Sequence, residues 1–496
     1  MTRHAQRPAP DLPRHPFDDD KLHEECGVYG VFGAQDAASF VALGLHALQH
    51  RGQEAAGIAA WDPAEKHFNT VRRMGYVRDN FTSANVIGML PGRHALGHVR
   101  YSTAGKKGVT AIRDVQPLYA ELSTGGFAIA HNGNLTNADA LRSELIERGS
   151  IFQSSSDTEC IVHLMALSIQ RKVAERMKDA LRRVEGAFSV IAITRSKMIG
   201  VRDPLGVRPL VLGKVGDVWV LSSETCALDI VGAELVREVE PGEMVIVSEK
   251  GVESQFPFGR AKPRFCIFEY VYFSRPDSVI GGLSVYETRR RIGAELAREA
   301  PVEADLICPV PDSGTPAAIG YSQASGIPYA MGIIRNQYVG RTFIEPSEQI
   351  RNMGVRLKLN VNRAVIAGKR VVLVDDSVVR GTTSLKIKEM VLDAGAAEVH
   401  LRIASPPTMW PCFYGVDTPD KDKLLAAQMT EDQMRAHLGV DSIRFISLDG
   451  LYRACGEEGG RDKAAPQFCE ACFSGDYPIA PSDRIAQGRI TLAAGE

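Results

Sequence analysis

Val371-Val372-Leu373-Val374-Asp375-Asp376-Ser377-Val378-Val379-Arg380-Gly381-Thr382-Thr383 decides how the second half of this chain is read. Four apolar, mostly β-branched residues read as a strand buried inside a parallel sheet. The strand ends on two adjacent acids and a loop of small and hydroxyl residues, and a helical pattern begins near Ser384. Open α/β sheets bind ligands at the carboxyl ends of their strands, where Asp375 and Asp376 are placed to hold ribose hydroxyls or Mg²⁺. The loop 377–383 offers backbone N–H groups and a helix N-terminus to a phosphate. An acidic helix start with a turn is the competing reading, and it accounts for one Asp-Ser pair better than for the whole stretch.

Around this stretch, from Tyr286 on, helix and strand patterns alternate. Strands at 306–310 and 371–374 and helices at 286–299 and 384–394 predict a parallel α/β sheet. After the first strand, Pro311-Asp312-Ser313-Gly314-Thr315-Pro316 reads as a tight turn able to aim consecutive N–H groups at a pyrophosphate, although the same letters suit an ordinary type I turn. Residues 335–360 are charged and weakly periodic, which predicts a mobile loop or lid. Upstream, 26–250 holds short alternating runs (26–33, 127–130, 188–194, 218–222) among amphipathic stretches (37–48, 157–170), as stacked sheets covered by helices require. Periodicity fails over 251–264, where Pro257, Gly259 and Pro263 place a boundary. The expected units are a leader 1–25, domains 26–255 and 256–477, and a surface tail 478–496 with one short helix.

The 496 residues are 44% apolar and 24% charged, as in ordinary soluble globular proteins. A formal net charge of -2 gives no reason to expect nucleic acid or a membrane surface as partner. No run approaches the roughly 18 apolar residues of a membrane span, and the polar leader has no secretory h-region. Nine cysteines without an export signal predict the reducing cytoplasm rather than a disulfide scaffold.

The stretch 371–383 resembles the PRPP-binding motif of type I phosphoribosyltransferases without a gap. By that resemblance Asp312, Ser313 and Gly314 belong to the pyrophosphate loop. The PRPP contacts are then these three with Asp375, Asp376, Ser377, Val378, Val379, Arg380, Gly381, Thr382 and Thr383, and Ser313, Asp375 and Asp376 meet Mg²⁺. The first half resembles class II glutamine amidotransferases, members of the N-terminal nucleophile hydrolases. The segments that carry this, in order, are Cys26-Gly27, His50-Arg51-Gly52-Gln53, His98-Val99-Arg100-Tyr101-Ser102-Thr103, His131-Asn132-Gly133-Asn134, Ser156-Asp157-Thr158-Glu159 and the run from Asp203 to Leu210. The implied nucleophile is Cys26, exposed as residue one when the chain cleaves itself after Glu25. A thiol is only a few per cent thiolate at neutral pH and needs a nearby base; in this family its own α-amino group serves. The resemblance assigns Arg51, Arg100 and Asp157 to glutamine, and Asn132 and Gly133 to the tetrahedral oxyanion. The implied fold is an N-terminal nucleophile-hydrolase αββα sandwich (α+β) followed by a type I phosphoribosyltransferase parallel-sheet domain (α/β).

Cys469-Glu470-Ala471-Cys472 is a C-x-x-C pair, ambiguous among zinc, redox and cluster roles. With the distant Cys266 and Cys412 it is compatible with a Cys₄ site for zinc or an iron–sulfur cluster, and spacing does not choose. Cys160, Cys226 and Cys308 read as buried structural residues, and Cys455 as a substitute ligand.

Together the halves resemble the amidophosphoribosyltransferases, one branch of which has both a cleaved leader and a [4Fe–4S] cluster. That implies Cys266, Cys412, Cys469 and Cys472 as cluster ligands, glutamine and PRPP as substrates, and ammonia passed between two sites. It also implies purine nucleotides as inhibitors and a homotetramer. Two rivals are a PRPP-sensing regulator, which would carry no glutaminase half, and an amidotransferase with another acceptor, which would lack 371–383.

Overall fold

Alternation of small and apolar residues makes Cys26–Phe32 a strand buried at every position, the centre of a seven-stranded sheet. The protein is described from a computed structural model, which covers residues 23–24, 26–101, 109–336 and 359–487. Because strand side chains alternate faces, Val28 and Phe32 point into a core shared with Ala130, Ile191 and Val245 of a second, six-stranded sheet. Tyr29 and Val31 point the other way, under helix Ala37–Ala47. Helices Thr158–Leu167 and Val173–Leu181 cover the far face of the second sheet. The first half is therefore an αββα sandwich.

In the second half, strands Leu306–Pro309, Arg370–Asp375, Glu398–Ile403 and Ser442–Phe445 form a parallel sheet in that order. Val371 and Leu373 face a core with Ile387 and Val391 of helix Thr382–Asp393. Val372 and Val374 face Ile292, Ala317 and Tyr321 from helices Val285–Glu299 and Thr315–Ser325. Burial on both faces is why the run reads as continuously apolar.

The predicted break at 251–264 begins later than its letters suggest. Gly251–Gln255 pairs with Met244–Ser248 as the edge of the second sheet. An exposed edge strand needs no apolar alternation, so its sequence looks irregular. Helix Thr382–Asp393 begins before Ser384, and Ser482–Ala486 is a short helix in the tail. Most of 335–360, Ser102, Thr103, leader residues 1–22 and 25, and 488–496 lie outside the described residues. At the rims of the predicted lid, Ile333–Arg335 pairs antiparallel with Leu359–Val361. Among the described residues no helix is long and apolar enough to cross a membrane.

Candidate active sites and cysteine cluster

Cys26 opens its strand at 8% exposure, with Arg100 as its register partner on the neighbouring strand His94–Arg100. Gly125–Leu135, from the other sheet, packs across this strand and carries His131, Asn132 and Gly133. Asn132 is fully buried, and neither its Oδ1 nor its Nδ2 has a hydrogen-bond partner among the described residues. A buried amide without partners costs free energy, so the fold holds a donor in reserve there. Gly133 has φ +141°, and a Cβ on it would lie 2.0 Å from the Ala187 carbonyl oxygen, so only glycine fits.

Asp157 precedes helix Thr158–Leu167 and accepts from the Leu135 N–H at 2.9 Å. Burial alone pushes its carboxyl up, but the His131 ring and the Leu135 and Thr158 N–H groups bring it below the usual carboxylate range. His98, buried near Arg100 and His131, is pulled down to about 3 and is neutral. Arg100 lies 3.5 Å from Asp114 and is 12% exposed. Arg100 thus stands opposite Cys26, and Asp157 is held beside His131 on the strand that packs across it. Arg51, expected among the glutamine contacts, is fully buried in an ion cluster. It donates to Glu224, to Glu269 Oε2 at 2.7 Å and to Ser274 Oγ at 3.2 Å.

At the carboxyl end of the parallel sheet, Asp375 and Asp376 are 3% and 1% exposed. Ser313 Oγ donates to Asp376 Oδ2, joining the two loops predicted to meet at PRPP. Ser377 Oγ donates to Asp376 Oδ1 at 2.5 Å, and Asp312 pairs with Arg335 at 2.6 Å. Gly314 and Gly381 stand at the N-termini of helices Thr315–Ser325 and Thr382–Asp393, which converge on this end of the sheet; Val378, Val379, Arg380, Thr382 and Thr383 complete the loop. Hard oxygen donors from two buried acids and a hydroxyl fit Mg²⁺.

Phe265–Cys266 pairs in parallel with Phe468–Cys469, setting Cys266 opposite Cys469. Met409 and Trp410 both donate their N–H to the Cys472 carbonyl, which brings the Cys412 loop alongside. All four cysteines line one small apolar cavity with Phe268, Phe273 and Tyr414. Burial pushes the Cys469 thiol up to about 12, with Cys412 adding to the effect. Among the described residues no group of three or more His, Cys, Asp or Glu side chains is placed to hold a single metal ion. Four thiols on one apolar cavity are the donor type that both zinc and an iron–sulfur cluster take. Cys455 is buried but does not line this cavity.

Two acids escaped the sequence reading. Glu224 and Glu269 are fully or almost fully buried, yet belong to no local motif. The one available signal was Glu269 within the apolar run Ile267-Phe268-Glu269-Tyr270-Val271, since an acid there must find a cation.

The sandwich with its strand-opening cysteine, and the parallel sheet with its acidic pair, define a glutamine amidotransferase joined to a phosphoribosyltransferase. The family model described as "Glutamine amidotransferase domain" matches residues 98–229. The chain is 55% identical to the amidophosphoribosyltransferase of Rhizobium etli over 95% of each chain. It is 46% identical to that of Bacillus subtilis, covering 92% of this chain and 94% of the relative. A solved structure of the B. subtilis glutamine PRPP amidotransferase, complexed with ADP and GMP, superposes with TM-score 0.86 at 45% identity, covering 92% of this chain and 98% of that one. The chain belongs to the amidophosphoribosyltransferase family.

Proposed function

We propose that Cys26 releases ammonia from glutamine and that the ammonia passes, shielded from water, to PRPP held at Asp375–Thr383. The overall reaction is glutamine-dependent amination of PRPP, giving 5-phosphoribosylamine, glutamate and pyrophosphate, the first step of purine nucleotide synthesis. One observation carries the assignment of the first site: the buried Asn132 amide has no partner among the described residues, as a donor reserved for an oxyanion would be. Asn132 and the Gly133 N–H stabilise the tetrahedral intermediate, Arg100 takes the glutamine carboxylate, and Asp157 takes its ammonium. The Cys26 α-amino group, with an ordinary pKa of about 7.7–8.0, takes the thiol proton once the leader 1–25 has been removed.

At the second site the protein's share is positioning and charge stabilisation. Asp375, Asp376 and Ser313 would hold Mg²⁺, which neutralises pyrophosphate as it leaves C1 of the ribose. The loops at 312–314 and 377–383 donate N–H groups to its phosphates.

Cys266, Cys412, Cys469 and Cys472 would hold a [4Fe–4S] cluster that staples the tail to the second domain; their shared apolar cavity supports this. The chain is read as a cytoplasmic homotetramer inhibited by purine nucleotides, a regulation in keeping with the ADP and GMP bound to the B. subtilis relative.

The test is release of glutamate and pyrophosphate by anaerobically purified protein with glutamine and Mg²⁺, with and without PRPP. Equimolar release that depends on PRPP is expected. Glutamate release indifferent to PRPP would overturn the coupled reading.

A further inference from the structure

Four charged side chains are almost wholly buried where the halves meet: Arg51, Arg208, Glu224 and Glu269. Arg51 bridges Glu224 and Glu269, and Arg208 reaches Glu269 Oε1 at 3.3 Å. Glu224 also meets His50 at 2.6 Å and accepts from Ser278 Oγ at 2.7 Å. Ser274 Oγ donates to Glu269 Oε2 at 2.5 Å. Well-packed apolar residues would stabilise such a junction as well or better, so stability alone does not explain the cluster. Charges paired this way favour one discrete arrangement of the parts that bear them.

Each end of the cluster leads to a reaction site. On the glutaminase side, Arg51 packs against the residue next to the nucleophile, since a Cβ on Gly27 would lie 3.4 Å from Arg51 Cδ. On the other side, Glu269 opens the short π-helix Glu269–Phe273. Arg289 grips that turn at two points, donating from Nε to the Tyr270 carbonyl at 2.8 Å and from Nη2 to the Ser274 carbonyl at 2.7 Å. Arg289 lies on helix Val285–Glu299, which meets Thr315–Ser325 backbone to backbone. A Cβ on Gly293 would lie 1.9 Å from the Ala317 carbonyl oxygen, and one on Gly320 equally close to that of Arg290. Thr315–Ser325 starts directly after Ser313 and Gly314 of the pyrophosphate loop. The buried Arg289 guanidinium also feels the charges of Asp376, Glu224 and Glu269.

We propose that Glu269 is a positioning residue that passes occupation of the PRPP site to the glutaminase site, through the packed helix pair, Arg289 and Arg51. The proposal rests on the reading of the two sites given above. Two helices in backbone contact move as one body, so an anion settling at the start of Thr315–Ser325 displaces Arg289 and the turn it grips. Glu269 then shifts Arg51 against the strand that begins at Cys26.

The experiment compares wild type, Glu269→Gln and Ser274→Ala in three assays with the full chain. These are glutamate release without PRPP, glutamate release with PRPP, and pyrophosphate release with ammonia in place of glutamine; melting temperature is recorded alongside. Glu269→Gln is expected to lower the PRPP stimulation of glutamate release by about tenfold, within the usual range of coupling between sites, while the other two activities stay near wild type. Ser274→Ala, which removes the hydrogen bonds to Glu269 and from Arg51 but leaves the charges in place, should lower the same ratio less, and it decides the matter if Glu269→Gln does not fold. A lowered melting temperature with wild-type stimulation in a folded variant overturns the proposal, because Glu269 is then only structural. Absence of stimulation in wild type overturns the coupled reading itself, an outcome separate from failure of the relay alone.

Discussion

The Asn134 side chain donates from Nδ2 to the Phe413 carbonyl at 3.0 Å, tying the strand of Asn132 and Gly133 to the residue after Cys412. Arg208 adds two bonds to the same loop, from Nε to the Tyr414 carbonyl at 2.9 Å and from Nη2 to that of Gly415 at 2.6 Å. The strand of Asn132 and Gly133 and the cysteine-lined cavity therefore share a wall. Asn134→Ala removes one such bond, worth about 1 kcal/mol. Glutamine-dependent turnover should fall roughly fivefold, with ammonia-dependent turnover unchanged. Equal loss of both would place the effect elsewhere.

Asn132→Ala removes the donor itself. The expected cost is about 3–4 kcal/mol of transition-state stabilisation, or a fall in glutaminase kcat of roughly 10²–10³. KM for glutamine should change little, because the interaction forms only with the oxyanion. Near-normal steady-state turnover would show that Asn132 is not the donor.

Asp375→Asn combined with Asp376→Asn removes two hard carboxylates at the strand end. Pyrophosphate release should vanish at any Mg²⁺ concentration, while glutamate release without PRPP persists. Loss of both activities would mean that the acidic pair also supports the first site.

Anaerobically purified protein should contain iron and acid-labile sulfide and absorb broadly in the visible. Cys412→Ser should lose the iron, and Cys455→Ser should keep it. Stoichiometric zinc without iron would replace the cluster with a mononuclear site.

Asp305 closes the foot of the parallel sheet, where the Arg370 guanidinium and N–H pull its carboxyl down to about 2. A carboxyl depressed below its unfolded value of about 3.9 stabilises the fold above that pH. The contribution declines as pH falls towards 2. The melting-temperature gap between wild type and Asp305→Asn should thus be constant above about pH 5 and shrink below about pH 4. A gap that widens in acid would reverse the sign assigned to this pair.

Local chemistry made much of the molecule legible. The run at 371–376 is buried on both faces, so its apolar letters and terminal acids alone mark a central parallel strand and its ligand end. Strand 26–32 was readable because its alternation matches its two faces. Edge strand Gly251–Gln255 was not, since exposure removes the pattern.

The ion partners of Arg51 were hidden for a related reason. Its motif says that a guanidinium is needed, whereas its partners Glu224 and Glu269 lie 173 and 218 residues away. The four cysteines offered only spacing, and the wall they share came from strand Phe265–Cys266 meeting Phe468–Cys469.

By itself, the sequence determined the two chemistries, because each is announced by short motifs of a few neighbouring residues. Only the tertiary structure decided how the two are joined. The junction consists of buried charges and backbone contacts between distant segments, and their energy depends on who meets whom in three dimensions.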